Sequence, residues 1–195
     1  VTSTRTTYEG IVARIRLDEV VMPGGRTAVR EVVEHVPAVA VAAVDDEDRV
    51  VLVEQYRHPL GRRLWELPAG LMDIDGEHAV VAARRELAEE TGIAASSWSV
   101  LVDLATSPGF CTEMVRVYLA RGLTEVGREI PHGDEESDLR IVRVSLSEAV
   151  AAVLDGRIVN GSTVAGVLAA ARVLSADSGG GAEVAPRDVD APWPA

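Results

Sequence analysis

The stretch Gly70-Leu71-Met72-Asp73-Ile74-Asp75-Gly76-Glu77, followed seven residues later by Arg85-Glu86-Leu87-Ala88-Glu89-Glu90-Thr91-Gly92-Ile93, decides how the rest of this chain is read. Its first half, broken by glycines, is a loop. From His78 the pattern turns helical. Val80, Ala83 and Leu87 share one face, and Gly92 suits the position just past a helix C-terminus. With each residue advancing about 100°, Glu86, Glu89 and Glu90 fall within an arc of roughly 100° beside that apolar face. Like charges at i and i+4 repel by about a few tenths of a kcal/mol, and the C-terminal end of the helix dipole disfavours anions. A solvated acidic face would account for an ordinary glutamate pair. Three carboxylates set against two local rules point instead to a compensating cation. Hard carboxylate oxygens, with no His or Cys among them, suit Mg²⁺, with Mn²⁺ as the alternative, over Zn²⁺.

The charge of the whole chain leads to the same place. Its 195 residues carry a formal net charge of −12. Residues 66–90 hold Glu66, Asp73, Asp75, Glu77, Glu86, Glu89 and Glu90 against two arginines, and residues 125–138 hold Glu125, Glu129, Asp134, Glu135, Glu136 and Asp138 against one. These two stretches carry ten of the twelve net charges, so the remainder is close to neutral. No basic patch exists to grip a phosphate backbone, so nucleic acid is not an expected partner. A single cysteine, Cys111, excludes an intrachain disulfide and a multi-cysteine zinc site.

The quoted stretch strongly resembles the Nudix box: a glycine, a glutamate, then Arg-Glu-hydrophobic-x-Glu-Glu-x-Gly-hydrophobic. Six residues, where the family norm is five, separate Gly70 from Glu77. The extra one falls in the loop and leaves the helical carboxylates in register. The resemblance implies an α+β fold, a Nudix-like α/β/α sandwich with a mixed central sheet. It also implies metal ligation by Glu86, Glu89 and Glu90 with the backbone carbonyl of Ala69. Arg85, counted with the catalytic residues, would pair with a carboxylate, Glu77 being the candidate. An acidic segment of this kind would repel a pyrophosphate unless bound cations bridged the two.

Glu54-Gln55-Tyr56-Arg57 and Leu64-Trp65-Glu66-Leu67-Pro68-Ala69-Gly70 look like the ADP-ribose pyrophosphatase branch of that family. Pro108, sixteen residues after Gly92 within Ser107-Pro108-Gly109-Phe110, fits the same branch. Arg57, Glu66, Pro108 and Gly109 are therefore the candidate substrate-binding residues, Arg57 for a phosphate because of its fork geometry. The branch resemblance puts the general base in the second acidic stretch, at Glu135 with Glu136 as the alternative; a carboxylate within hydrogen-bond reach of water suits that work. The implied reaction is Mg²⁺-dependent hydrolysis of ADP-ribose to AMP and ribose 5-phosphate. Another nucleoside diphosphate derivative, a nucleotide sugar or dinucleotide, is the rival substrate. A non-catalytic ADP-ribose sensor is a further alternative, disfavoured because every carboxylate of the box is present.

Further out, residues 8–21 and 27–36 flank Met22-Pro23-Gly24-Gly25 and read as a β-hairpin. The resemblance makes this segment, 1–36, a dimerisation element, hence an expected homodimer. Residues 37–174 are the expected catalytic domain. Within it, Val36–Val44 and Arg49–Glu54 read as a second hairpin around Asp45-Asp46-Glu47-Asp48, and 56–76 as loop. Strands follow at 98–105, 114–120 and 139–145. Ser145 with Glu148 forms a capping box for a helix to about Leu154, and 163–174 is a last, Ala-rich helix. The tail, 175–195, with Gly179-Gly180-Gly181 and few large apolar residues, is expected to be disordered. No apolar run approaches the ~18 residues of a membrane span, and Val1–Gly10 lacks a signal-peptide core. A cytoplasmic protein without membrane partners is the expectation.

Overall fold

The computed structural model describes residues 1–128, 138–175 and 184–194. The chain runs β1 (Ser3–Glu9), β2 (Ala13–Val21), β3 (Thr27–His35), β4 (Ala38–Ala43), β5 (Arg49–Arg57), a 3-10 turn (His58–Leu60), β6 (Arg62–Glu66), β7 (Ala69–Leu71), α1 (Ala79–Thr91), β8 (Ile93–Ala105), β9 (Met114–Glu125), β10 (Arg140–Ser145), α2 (Leu146–Leu154) and α3 (Gly161–Leu174). Three sheets result, ordered β1-β2-β3, β10-β5-β6 and β7-β4-β9-β8. The last is mixed, since β4 lies parallel to β9 while its other pairs are antiparallel.

Strand β4 explains the layering. All six of its residues are buried. Successive side chains alternate between faces. Val39, Val41 and Ala43 pack with Ala82, Ala83 and Leu87 of α1, whereas Ala38, Ala40 and Ala42 pack with α2 and α3 through Ala149, Val167 and Ala170. This is the α/β/α sandwich expected of the sequence. The alternating Ala and Val of β4 keep both helix layers close to the sheet.

Local signals place the helix ends. Gly92 ends α1 at φ 69°, the left-handed conformation that glycine adopts without cost, and its N–H donates to the Ala88 carbonyl at 2.8 Å. The Ser145–Glu148 capping box is present at α2. Asn160 caps α3, which starts two residues earlier than the sequence suggests.

Several expectations need correction. The amino-terminal hairpin is part of a three-stranded sheet, because β1 adds to β2. Strands β4 and β5 are joined by the expected tight turn, in which the Asp45 N–H donates to the Arg49 carbonyl at 3.0 Å. They nevertheless share only the Val44–Val50 bridge and then diverge into different sheets. The 56–76 loop contains the short strands β6 and β7. The tail is not wholly unstructured: Arg187 bridges Val100 of β8, and Val189 and Ala191 pack on the α1 side of the sheet. No helix among the described residues is long and apolar enough to cross a membrane.

Candidate active site

Helix α1 does not present its three glutamates alike. Glu86 and Glu90 are buried, while the Glu89 side chain is 48% exposed. The two inner carboxylates meet the backbone of β7. The Ala69 N–H donates to Glu90 Oε2 at 3.0 Å. Gly70 passes so close to Glu86 that a Cβ there would overlap the carboxyl group, so only glycine leaves room for this cradle.

Arg85 is the organising cation. Its Nε and Nη2 donate to the two oxygens of Glu77, at 3.2 and 3.1 Å, and its Nη1 donates to Glu86 at 2.6 Å and Glu89 at 3.1 Å. The Glu77 hydrogen bonds push the guanidinium above its ordinary pKa against the opposing effect of burial, with further help from Glu86. The extra loop residue thus leaves the Arg85–Glu77 pair intact. With Arg85 reaching between Glu86 and Glu89, no three acidic, imidazole or thiol groups among the described residues stand together as a ready metal cage. The donor set nonetheless fits a hard divalent cation. Buried Glu86 and Glu90 meet the Ala69-Gly70 backbone, Glu89 stands at the surface beside them, and Glu86 and Glu89 now share one guanidinium where positive charge is required.

Beside β7 lies a cleft of about 920 Å³ whose lining includes Arg57, Glu66, Ala69 and Gly70. Four of the residues singled out from the sequence therefore border one space. Arg57, at the end of β5, and Glu66, on β6, form a two-pronged ion pair with Nε–Oε1 at 2.8 Å and Nη2–Oε2 at 2.6 Å. The Glu66 side chain is only 2% exposed whereas that of Arg57 is 38% exposed. The buried carboxylate fixes the fork, and the guanidinium keeps access to solvent. Glu66 is thus committed to orienting Arg57.

Pro108 and Gly109 do not line the cleft. They form the exposed tip of the β8–β9 connection, and the stems of that connection, Thr106 and Glu113, line it instead. The Val33 N–H donates to the Phe110 carbonyl at 2.7 Å and the Thr112 N–H to the Val33 carbonyl at 2.9 Å, so this connection is stitched to β3. Glu135 and Glu136 lie outside the described residues. Sequence reasoning missed His35, Gln55 and the Asn160-Gly161-Ser162 start of α3 as cleft residues. The last had a readable signal, a polar capping triplet before an Ala-rich helix. His35 had none, because its position depends on the amino-terminal sheet.

With this geometry established, comparisons with known proteins bear on what it is. A NUDIX domain family model matches residues 27–163. An ADP-ribose pyrophosphatase of Mycobacterium tuberculosis is 51% identical over 191 residues, covering 98% of this chain and 89% of that one. A methanol dehydrogenase activator of Bacillus methanolicus is 39% identical over 165 residues, covering 84% and 88%. A solved structure described as an ADP compounds hydrolase superposes with a TM-score of 0.79 at 22% identity, over 91% of this chain and 94% of the other, a likeness of fold. The carboxylate helix, its arginine and the sandwich that holds them are those of a family of divalent-metal-dependent hydrolases: this chain belongs to the NUDIX family.

Proposed function

We propose that this protein hydrolyses the pyrophosphate bond of ADP-ribose, giving AMP and ribose 5-phosphate. The observation that carries the reading is the juxtaposition, along one cleft, of the Arg57–Glu66 fork with the Gly70 backbone that cradles Glu86. A diphosphate needs such a pairing, a fixed cation on one side and a hard-metal donor set on the other. The half-identical ADP-ribose pyrophosphatase supports the choice of substrate.

In this reading Arg57 grips a non-bridging phosphate oxygen and Glu66 holds its fork in place. Glu86, Glu89 and Glu90, with the carbonyl of Ala69, would hold Mg²⁺, with Mn²⁺ as the alternative. The bound ion supplies charge neutralisation and Lewis acidity toward the phosphoryl oxygens. Arg85 keeps Glu86 and Glu89 in position through its anchor on Glu77. A carboxylate of the second acidic stretch, Glu135 or in its place Glu136, takes the proton of the attacking water. The new P–O bond forms on one phosphorus, the P–O bond to the bridging oxygen breaks, and that oxygen leaves on the other phosphate.

The test is a substrate panel with Mg²⁺: ADP-ribose, ADP-glucose, GDP-mannose, NADH, a diadenosine polyphosphate and an oxidised dGTP, with products separated chromatographically. ADP-ribose is expected among the best by kcat/KM, yielding AMP and ribose 5-phosphate in equal amounts. A marked preference for a nucleotide sugar or dinucleotide would overturn the substrate and leave the family membership standing. We further propose a cytoplasmic homodimer paired through the β1-β2-β3 sheet.

A further inference from the structure

On the α1 side of the β7-β4-β9-β8 sheet, two arginine–aromatic contacts and one aromatic pair lie in sequence. We propose that the carboxy-terminal segment 184–194 is a positioning strap for α1, acting through arginine–aromatic contacts that run from Trp193 to Arg84.

The strap has three fixings. At the edge strand β8, the Val100 N–H donates to the Arg187 carbonyl at 3.0 Å and the Arg187 N–H to the Val100 carbonyl at 2.9 Å. Val189 and Ala191 then enter the apolar layer that also holds Ala82, Ala83 and Leu87 of α1. Finally Arg116, whose side chain is 4% exposed, pairs with Asp103 at 2.7 and 3.0 Å and donates to the carbonyls of Ala191 at 2.7 Å and Pro192 at 3.0 Å. Its guanidinium carbon lies 4.2 Å from the Trp193 ring centroid. Arg187 adds a second ion pair to Asp103 at 2.8 Å.

From Arg116 the contacts lead toward the catalytic helix. Arg116 and Tyr118 are two residues apart on β9 and share a face. Burial raises the Tyr118 phenol pKa, and the neighbouring Arg116 draws it back. Tyr118 meets Trp98 edge to face, with centroids 6.2 Å apart and planes at 73°. Arg84 of α1 lies 5.6 Å from the Trp98 ring centroid. Arg84 precedes Arg85, the residue that gathers Glu77, Glu86 and Glu89. Without the strap, the buried Arg116 loses two carbonyl acceptors and an aromatic face, and the apolar layer beside α1 opens. Arg116 then keeps its pair with Asp103. Tyr118 and Trp98 lose the packing on one side, although the Trp98 indole N–H still donates to the Ala95 carbonyl, and the platform under Arg84 shifts. The strap holds α1, and with it the carboxylates, at the β7 backbone.

This inference rests on reading α1 as the metal-holding helix, so Mn²⁺ binding to the parent chain, followed by electron paramagnetic resonance, checks that reading first. A parent that binds no Mn²⁺ overturns both. Given binding, Trp193→Ala is expected to weaken Mn²⁺ affinity about 3- to 10-fold. It should also lower kcat for ADP-ribose while leaving KM within about twofold. Trp193→Phe, which keeps an aromatic face, restores both. Trp98→Leu gives the same loss, and the double variant Trp98→Leu/Trp193→Ala loses no more than either alone, because both break one series of contacts. Parent-like Mn²⁺ affinity in Trp193→Ala, additive losses in the double variant, or a loss that merely tracks the unfolded fraction by circular dichroism would each overturn the strap while leaving the site reading intact.

Discussion

Gly70 carries a function that its size alone dictates. A Cβ at this position would meet the Glu86 carboxyl group, the far end of a flexible side chain, so substitution displaces the carboxylate and spares the backbone. Gly70→Ala should therefore keep its fold and its melting temperature. Its turnover of ADP-ribose should fall on the order of 10²-fold, because reacting groups tolerate little misplacement. Parallel melting curves and initial rates check both halves; unchanged rates would remove Glu86 from the site. Much at this scale was readable in advance. The grouping of Glu86, Glu89 and Glu90 follows from charges placed against local helix rules, and the Arg85–Glu77 pair from the resemblance to the Nudix box. Which glutamates turn inward did not follow, since a residue arc gives a direction and not a partner. Burial of Glu86 and Glu90, with Glu89 left outside, is decided by where β7 passes.

The clearest feature at the scale of elements is the irregularity in β8. The register shifts between Val100 and Val102, so Val100 opposes Tyr118 while Val102 opposes Val117 and Asp103 opposes Arg116. In a regular strand Val100 and Val102 would share a face, and Asp103 would point to the other. The one-residue bulge at Leu101 turns Asp103 back to the side on which Arg116 and the strap lie. Deleting Leu101 would remove the bulge and leave Asp103 opposite Arg116, whereas Asp103→Ala takes away the carboxylate that the buried Arg116 pairs with. Breaking a buried pair by removing one partner costs about 3–5 kcal/mol, which chemical denaturation of Asp103→Ala would register; a stability within about 1 kcal/mol of the parent would refute the structural role of the pair. Helices α1 and α2 were legible because their caps are local chemistry. Strand β1 was not, since it is exposed along its whole length and carries no hydrophobic alternation. Strands β6 and β7 are three to five residues long amid prolines and glycines. The parting of β4 and β5 is set by partners far along the chain, β9 and β10, which no local window contains.

Taken whole, the molecule places its amino-terminal sheet outside the sandwich. Tyr8, Ile11, Val12, Val21 and Val29 are exposed on or beside it. Apolar groups and strand edges left open in this way favour pairing with a second copy. Sedimentation at micromolar concentration should give the mass of a dimer, and a monomer there would refute the proposed pairing. The sandwich class could be read from the sequence through the resemblance of residues 70–93 to the Nudix box. The docking of the tail could not, because its composition resembles that of an unpaired linker and its anchors, Asp103 and Arg116, lie more than seventy residues upstream. That distance has a consequence during synthesis. Strand β4 waits for β9, β5 waits for β10, and the edge of β8 stays open until Arg187 has been made. A nascent chain therefore carries an unprotected strand edge and an uncovered apolar layer until residues 184–194 have been made. Protection against aggregation falls to the ribosome and chaperones until that segment has emerged.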